Sequence, residues 1–433
     1  MRKKIILFSI TFIVLSCCSV TYGQKKKKKQ KPLKTQEQLQ KLPVYNSLSD
    51  ALQYKKRVYK LNLDNKELTE LSSQIGKLIN LQELYLRNNK LSELPPELWE
   101  LANLQKLLLG ENNIADLPPE IGNLKNLEEL DLFSNLLSTI PHEIGELKKL
   151  KKLDLNWNQI MELPEEIGQL TDIQYLYLER NKLDKFPETI GNLNNLIELK
   201  LSENQLTSLP KGIGELKNIP ELYLGKNKIV ILPPEIGEME NLKILNLENN
   251  SLKQIPEELS NLQNLEELYL QNNKIYSIKG QSINLPNLRV LDISINKIKY
   301  FSAKTDKLKK LEKLDMELNN LSIIPDPICR IKSLQFLSLS RNKIEKITAG
   351  ITRLQNLTEL NLSGNKIYSF SKTACYLPNL KILDLSQNDL MLLPKQMSGM
   401  KNLEELHLQN NKKLNKFQRK QVKKYLPKTS IYF

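Results

Sequence analysis

Hydrolysis or group transfer at neutral pH commonly draws on an imidazole or an activated thiol, and this chain has two histidines, His142 and His407, and four cysteines. Cys17 and Cys18 fall in an apolar N-terminal stretch, which leaves Cys329 and Cys375, 46 residues apart. No glycine-rich phosphate loop, zinc-type Cys/His spacing or calcium loop accompanies them. The chain is therefore expected to be no enzyme and to hold no cofactor or metal. The chemistry left is recognition by aromatic and acidic side chains, and the question becomes which elements present them.

From Leu61 onward the pattern L-x-L-x-x-N-x-(L/I) recurs at a constant 23 residues, with its asparagine at positions such as Asn89, Asn112, Asn181, Asn250, Asn342 and Asn411. Lys66 fills the same slot one period earlier, which gives sixteen units over residues 58–411 without an insertion. Leu176 and Leu178 alternate with Tyr177, so the leucines point inward and the tyrosine outward on a short strand. Leu163, Ile167 and Leu170 return along the opposite side, and only neighbouring units bury one another's leucines. A short amide at the asparagine position can satisfy backbone groups where the strand turns inward, and stacked copies make a ladder. A Leu-Pro or equivalent punctuation at Pro95, Pro118, Pro141, Pro164, Pro187, Pro210, Pro233 and Pro256 ends the turn after each strand. It lapses at Lys279, Ser302, Thr348 and Ser371, so a less regular convex side is expected there.

This pattern resembles the leucine-rich repeat family, in its 23-residue class, as found in exported bacterial proteins. The resemblance covers residues 58–433 and implies an α/β solenoid, a horseshoe with a parallel concave β-sheet and convex turns or short helices, capped at both ends. The Ser47-Leu48-Ser49-Asp50 box places an N-terminal capping helix in residues 44–57. Phe417, Val422, Tyr425 and Leu426 suggest an amphipathic helix in a C-terminal cap over 412–433, with Ile431 to Phe433 as a last strand. Cys329 and Cys375 occupy the slot held by Gly76, Gly122, Gly168 and Gly237, two units apart, which at about 4.8 Å per strand exceeds disulfide reach.

The outward strand positions lie six, four and two residues before each ladder position, and they carry sixteen acids against six bases. The concave face is thus acidic although the whole chain carries +15, and phosphate would be repelled there, which excludes nucleic acid as its partner. Aromatics stand on the same face. Phe133, Trp157, Tyr175 and Tyr177 are expected to cluster, with Tyr85, Tyr223 and Tyr269 extending a central column, as anchors for a protein partner. Ile295 and Leu318 with Phe336 form a second candidate. The family resemblance suggests a secreted or cell-surface role, with host extracellular or receptor proteins as partners.

The excess positive charge sits at the ends. Residues 1–4 contribute +3, residues 25–34 contribute +7 and the tail from Lys412 has eight bases and no acid, leaving about −3 for the body. Residues 1–23 combine a basic start with the apolar run Ile5 to Leu15, too short to span a bilayer, and read as a signal peptide. Two outcomes stay open: cleavage after Gly23, or lipid attachment at Cys17 behind Val14-Leu15-Ser16, the one expected contact with a membrane. Residues 24–43 are read as a Lys-rich disordered tether.

Overall fold

The computed structural model describes residues 33–433; the signal peptide, Cys17 and most of the Lys-rich run lie outside the described residues. Three-residue strands, from Lys60–Asn62 to Ser430–Tyr432, form one 17-stranded sheet whose pairings are all parallel. The register advances by one repeat per strand, as in Lys152↔Tyr175 and Leu153↔Leu176. The central residue of each repeat strand, such as Leu84, Leu176 or Leu268, points inward and is buried, and Ile431 of the last strand is partly buried. One continuous apolar core runs from Ala51 to Leu426. This is the one-dimensional architecture expected when each repeat can bury its leucines only against its neighbours.

The ladder asparagines bind the repeats to each other. The Asn204 amide donates to the carbonyls of Leu178 (2.7 Å) and Leu201 (3.2 Å), one in the preceding repeat and one in its own. Its oxygen accepts from the Leu183 N–H at 3.0 Å, again in the preceding repeat. Asn227, Asn250 and Asn273 repeat the arrangement. The residue before the ladder position has φ between +50° and +63° in every repeat, whether it is Asn65, Trp157, Arg180, Ile295 or Gly364. That left-handed residue makes the turn that points each asparagine inward.

A second asparagine ladder holds the other side. Eleven residues, among them Asn80, Asn126, Asn218 and Asn402, each donate an amide N–H to the carbonyl 24 residues earlier. These bonds are mostly solvent-exposed, unlike those of the first ladder.

On the convex side the chain returns through five-residue 3-10 turns such as Glu165–Gln169, most of them entered through an extended proline; for Pro164 φ is −67° and ψ 148°. Proline suits that position because the first N–H of a helical turn has no internal partner. Glycine at the centre lets successive turns touch: a Cβ on Gly145 would come within 2.6 Å of the Glu166 carbonyl oxygen. Cys329 fits the same slot because Gly350 faces it, and both Cys329 and Cys375 are buried and free.

The loss of proline acts unevenly. Ser277–Gly280 and Tyr300–Ala303 pair as a separate two-stranded parallel sheet, where Lys279 and Ser302 stand in place of the proline of the earlier repeats. At Thr348 a full 3-10 turn persists, Ala349–Arg353, and after Ser371 a shortened one, Thr373–Cys375.

Both ends are covered. Ser47 caps the helix Leu48–Gln53, which buries Ala51, and Tyr45 pairs beside Leu61 at the sheet edge. Residues 33–43, which composition assigns to the tether, are instead ordered. Thr35 forms a capping box with Gln38 over the helix Gln36–Gln40, Leu39 is 1% exposed, and Lys34 exchanges hydrogen bonds with the Gln82 amide. One apolar residue and one cap suffice to dock that segment. At the far end the helix Lys416–Tyr425 buries Val422, but Phe417 at its start is 64% exposed and does not join the expected apolar face. Leu33–Phe433 is a compact unit containing every repeat and both caps, so it folds on its own.

Replacing Asn227 by Ala strands two backbone carbonyls and one N–H in the core and should lower stability by roughly 3 kcal/mol or more. Asn218→Ala, on the exposed ladder, should cost less than about 1 kcal/mol. Urea denaturation compares the two; equal losses would refute the division of labour between the ladders.

Candidate partner-binding surface

Four tyrosines, Tyr85, Tyr177, Tyr223 and Tyr269, end their three-residue concave strands, four residues before the ladder positions. Each hydroxyl donates to a glutamate: Tyr85 to Glu83 (2.9 Å), Tyr177 to Glu198 (2.9 Å), Tyr223 to Glu221 (2.9 Å) and Tyr269 to Glu267 (2.6 Å). Burial, then the adjacent glutamate, pushes the Tyr223 and Tyr269 hydroxyls up to about 12 and those of Tyr85 and Tyr177 higher still. These rings are fixed neutral posts in a field of carboxylates. Tyr175 lies 6.4 Å from Tyr177, and the ammonium groups of Lys152 and Lys200 flank the Tyr177 ring at 5.6 and 4.8 Å. Tyr175 and Tyr223 also wall a hollow of about 380 Å³ with Ile197, Glu198, Pro220 and Glu221.

The expected cluster of Phe133, Trp157, Tyr175 and Tyr177 divides into two places. Trp157 is not on a strand: it is the left-handed residue of its repeat, φ +57°, 49% exposed, with the Arg180 guanidinium stacked 3.8 Å from the ring centre. Phe133 lies two residues before its ladder position, where the chain is already leaving the strand. Together they line a hollow of about 410 Å³ with Glu111 and Ser134, at the exit end of the strands. Tyr175 and Tyr177 form the strand itself. Ile295 and Leu318 part from Phe336 for the same reason, being left-handed turn residues whereas Phe336 begins a strand under Lys313.

Acids pair in register across strands. Asp131 lies beside Asp154, and Asp292 beside Asp315. Arg87 offsets the first pair through Nε at 2.6 Å from Asp131. Burial pushes the Asp154 and Asp315 carboxyls up to about 6, with the neighbouring aspartate adding to the effect. Buried Glu83 and Asp131 show that part of this surface is packed against itself near its N-terminal end. A convex hollow of about 620 Å³, bordered by Lys304, Lys309, Arg330 and Lys332, opens beside the Tyr300–Ala303 strand, and nothing in the repeat pattern signals it.

The groups that could catalyse are placed apart. His142 is exposed beside Glu143, His407 stacks on Tyr432 at 4.6 Å beside Glu405, and burial pushes the thiols of Cys329 and Cys375 up to about 11 and 12. Among the described residues no three His, Cys, Asp or Glu side chains are grouped to hold a metal ion.

The geometry defines a parallel-sheet repeat solenoid with an acidic, tyrosine-studded concave face. The family comparison agrees: a leucine-rich repeat region model matches residues 52–162, 142–226 and 198–327, and a leucine rich repeat model matches 352–412. The chain belongs to the leucine-rich repeat family. It is similar to a leucine-rich repeat protein of Leptospira interrogans, at 36% identity and a TM-score of 0.66, over 90% of this chain and 100% of that one. An internalin of Listeria monocytogenes shares the fold at 21% identity and a TM-score of 0.54, over 78% of this chain and 88% of the internalin. The Drosophila Toll–Spatzle complex gives 24% identity and a TM-score of 0.68, over 81% of this chain and 50% of that one. No curated protein sequence matches significantly.

The raised aspartate in the fold gives a pH effect of definite sign. A carboxyl held above its ordinary value favours the fold while protonated, a contribution present below about pH 4 and lost as pH rises through about 6. Asp315→Asn stays neutral, and Asn can still accept the Glu317 N–H that Asp315 accepts at 2.9 Å. Its melting temperature should therefore exceed the parent's at pH 7.5 by on the order of 1 °C or more and match it near pH 4. A parent melting higher than the variant at pH 7.5 would contradict the assignment.

Proposed function

We propose that this chain is an exported protein-binding module that holds a protein partner on its concave face, with a secreted or cell-surface location and adhesion to host extracellular or receptor proteins as its role. The observation that carries the reading is the row of tyrosines, each locked to a glutamate, on a rigid sheet. Such side chains are fixed before binding, so little rotamer freedom is lost on contact. Sixteen acids against six bases on the outward strand positions call for a partner whose contacting surface is basic or neutral. On the same fold, Toll is found in complex with Spatzle, a fold-level analogy for this use of the surface. Export is supported by the basic start and apolar run of residues 1–23.

A second reading, a structural envelope lipoprotein, is favoured by Cys17 behind Val14-Leu15-Ser16. Cys17→Ser would abolish fatty-acid labelling under that reading and leave it unchanged at zero under soluble export.

The unit Leu33–Phe433, screened against extracellular matrix and receptor proteins, should retain a partner. Phe133→Ala with Trp157→Ala, and separately Tyr177→Ala with Tyr223→Ala, test the two halves of the divided cluster. At least one pair should weaken binding about thirtyfold or more with an unchanged melting curve, as loss of a hot spot does. Full affinity in both variants would remove the concave aromatics from the reading.

A further inference from the structure

The acidic face has an opposite number on the edge where the chain leaves the concave strands. Three and four residues past the ladder position, the C-terminal turns of this edge present Tyr276, Tyr300, Ile323, Tyr368, Met391 and Leu392, each between 37% and 60% exposed. Backbone pairing joins their turns two by two, Ser277 with Tyr300, Ile323 with Lys346 and Ser369 with Leu392, and the stacking of repeats sets these pairs one after another along the edge. Five steps of about 4.8 Å make the row roughly 24 Å long. One residue past the ladder position runs a parallel row of Lys274, Lys297, Lys343 and Lys366. None of these four lysines has a carboxylate partner among the described residues; at the same position in the N-terminal half Lys90 is paired to Glu67, while Lys182 and Lys228 reach the Gln159 and Gln205 amides. Lys299 and Lys346 add ammonium groups 5.2 and 5.8 Å from the Tyr300 and Tyr368 rings.

The N-terminal half of this edge is different. Its corresponding positions hold Glu70, Glu93, Asp116, Glu162 and Asp184, with Met161 and, in the eighth repeat, Val230 and Ile231 as exposed apolar members. At these positions exposed apolar side chains first occur at Met161 and become frequent from Val230 onward, with Glu345 the one acid among the later members, so the character belongs to particular repeats and not to the repeat as such. Ile295 and Leu318 sit on the turns of the same edge at φ +51° and +53°, 45% and 38% exposed. A β-branched residue in the left-handed region is strained, and exposure gives no packing in return.

We propose that this edge rests on the surface of an anionic lipid bilayer. The row projects as separate side chains, and none of its six residues lines any of the hollows described above. A protein partner reads shaped hollows, whereas a fluid interface accepts projecting side chains without matching contours. Tyrosines favour the level of the headgroups, Ile323, Met391 and Leu392 reach past them, and lysine stems lie along apolar surface with the charge at the phosphate level. The acidic concave face is left turned to solvent and free for its own partner. This contact does not depend on lipid attachment at Cys17 or on the concave reading.

The unit Leu33–Phe433, which lacks the leader and the Lys run, should sediment with phosphatidylcholine vesicles containing phosphatidylglycerol and not with phosphatidylcholine alone. Tyr300→Ser, Ile323→Ser and Leu392→Ser combined should lower partitioning about tenfold or more at an unchanged melting temperature. Ile323→Trp should gain a blue-shifted emission component on these vesicles, quenched by brominated lipid, that the parent's Trp99 and Trp157 do not show. Emission from the Ile323→Trp variant that does not shift, or a serine variant that partitions like the parent, overturns the proposal. Indifference to vesicles with retention on immobilised polyglutamate would overturn it in favour of an acidic protein.

Discussion

Each ladder asparagine closes the exit turn of its own repeat and satisfies the backbone of the repeat before it, and the rest of the molecule follows from that bond pattern. Strands of three residues make too few ladder hydrogen bonds to define a register alone. The Asn204 amide, reaching both Leu178 and Leu201, fixes the stagger between repeats to one value. Because the site is buried, a missing partner would leave polar groups away from water, so no repeat can shift without its neighbours. The leucines then meet across repeats at a single distance, and one core runs the length of the chain.

The same bond requires a left-handed residue immediately before the asparagine, and here geometry separates from residue type. Position 157 holds tryptophan, 180 arginine, 226 lysine and 295 isoleucine, yet φ is the same within a few degrees. Side chains at this position are thrown onto the exit edge. The solenoid therefore has a strand surface, which carries Tyr177 and Tyr223, and an exit surface, which carries Trp157, Ile295 and Leu318. The two can vary in chemistry independently because neither contributes to the core.

The fold was legible because its cause is periodic: the inward leucines, the asparagine slot and the prolines all recur at 23 residues. The acidic balance of the concave face was legible too, since alternation along a strand fixes which residues point outward. What escaped notice has specific causes. Counting back by twos treats Phe133 as a strand residue and groups Trp157 with it and with Tyr175, but the chain turns left-handed at position 157 and the alternation ends. The second ladder, Asn80 to Asn402, is as periodic as the first but is interrupted by Lys149, Asp172, Lys310 and Ser333, and it lacks flanking leucine alternation to advertise a strand. The Thr35 capping box was hidden by the neighbouring lysines, whose composition dominates any reading of that stretch. The hollow beside Tyr300–Ala303 arises from what two repeats lack, a proline, and an absence of that kind names no shape.

Charge segregation adds a constraint that composition conceals. A chain of +15 with an acidic concave face must carry its cations elsewhere, and they are not spread evenly. At the exit edge exposed bases meet acids in both halves, as Lys90 meets Glu67, Arg180 meets Glu203 and Arg341 meets Glu317. Three and four residues past the ladder, the C-terminal half carries tyrosine, isoleucine, methionine and leucine in place of most of the acids, Glu345 excepted, while Lys274, Lys297, Lys343 and Lys366 stand alongside. Surface ion pairs of this kind contribute little to stability, so the fold does not require either arrangement. The repeat thus fixes where side chains point and leaves their chemistry free. Two faces of opposite sign on one rigid frame keep their orientation to each other, and a contact made on one edge sets the direction in which the concave tyrosines look.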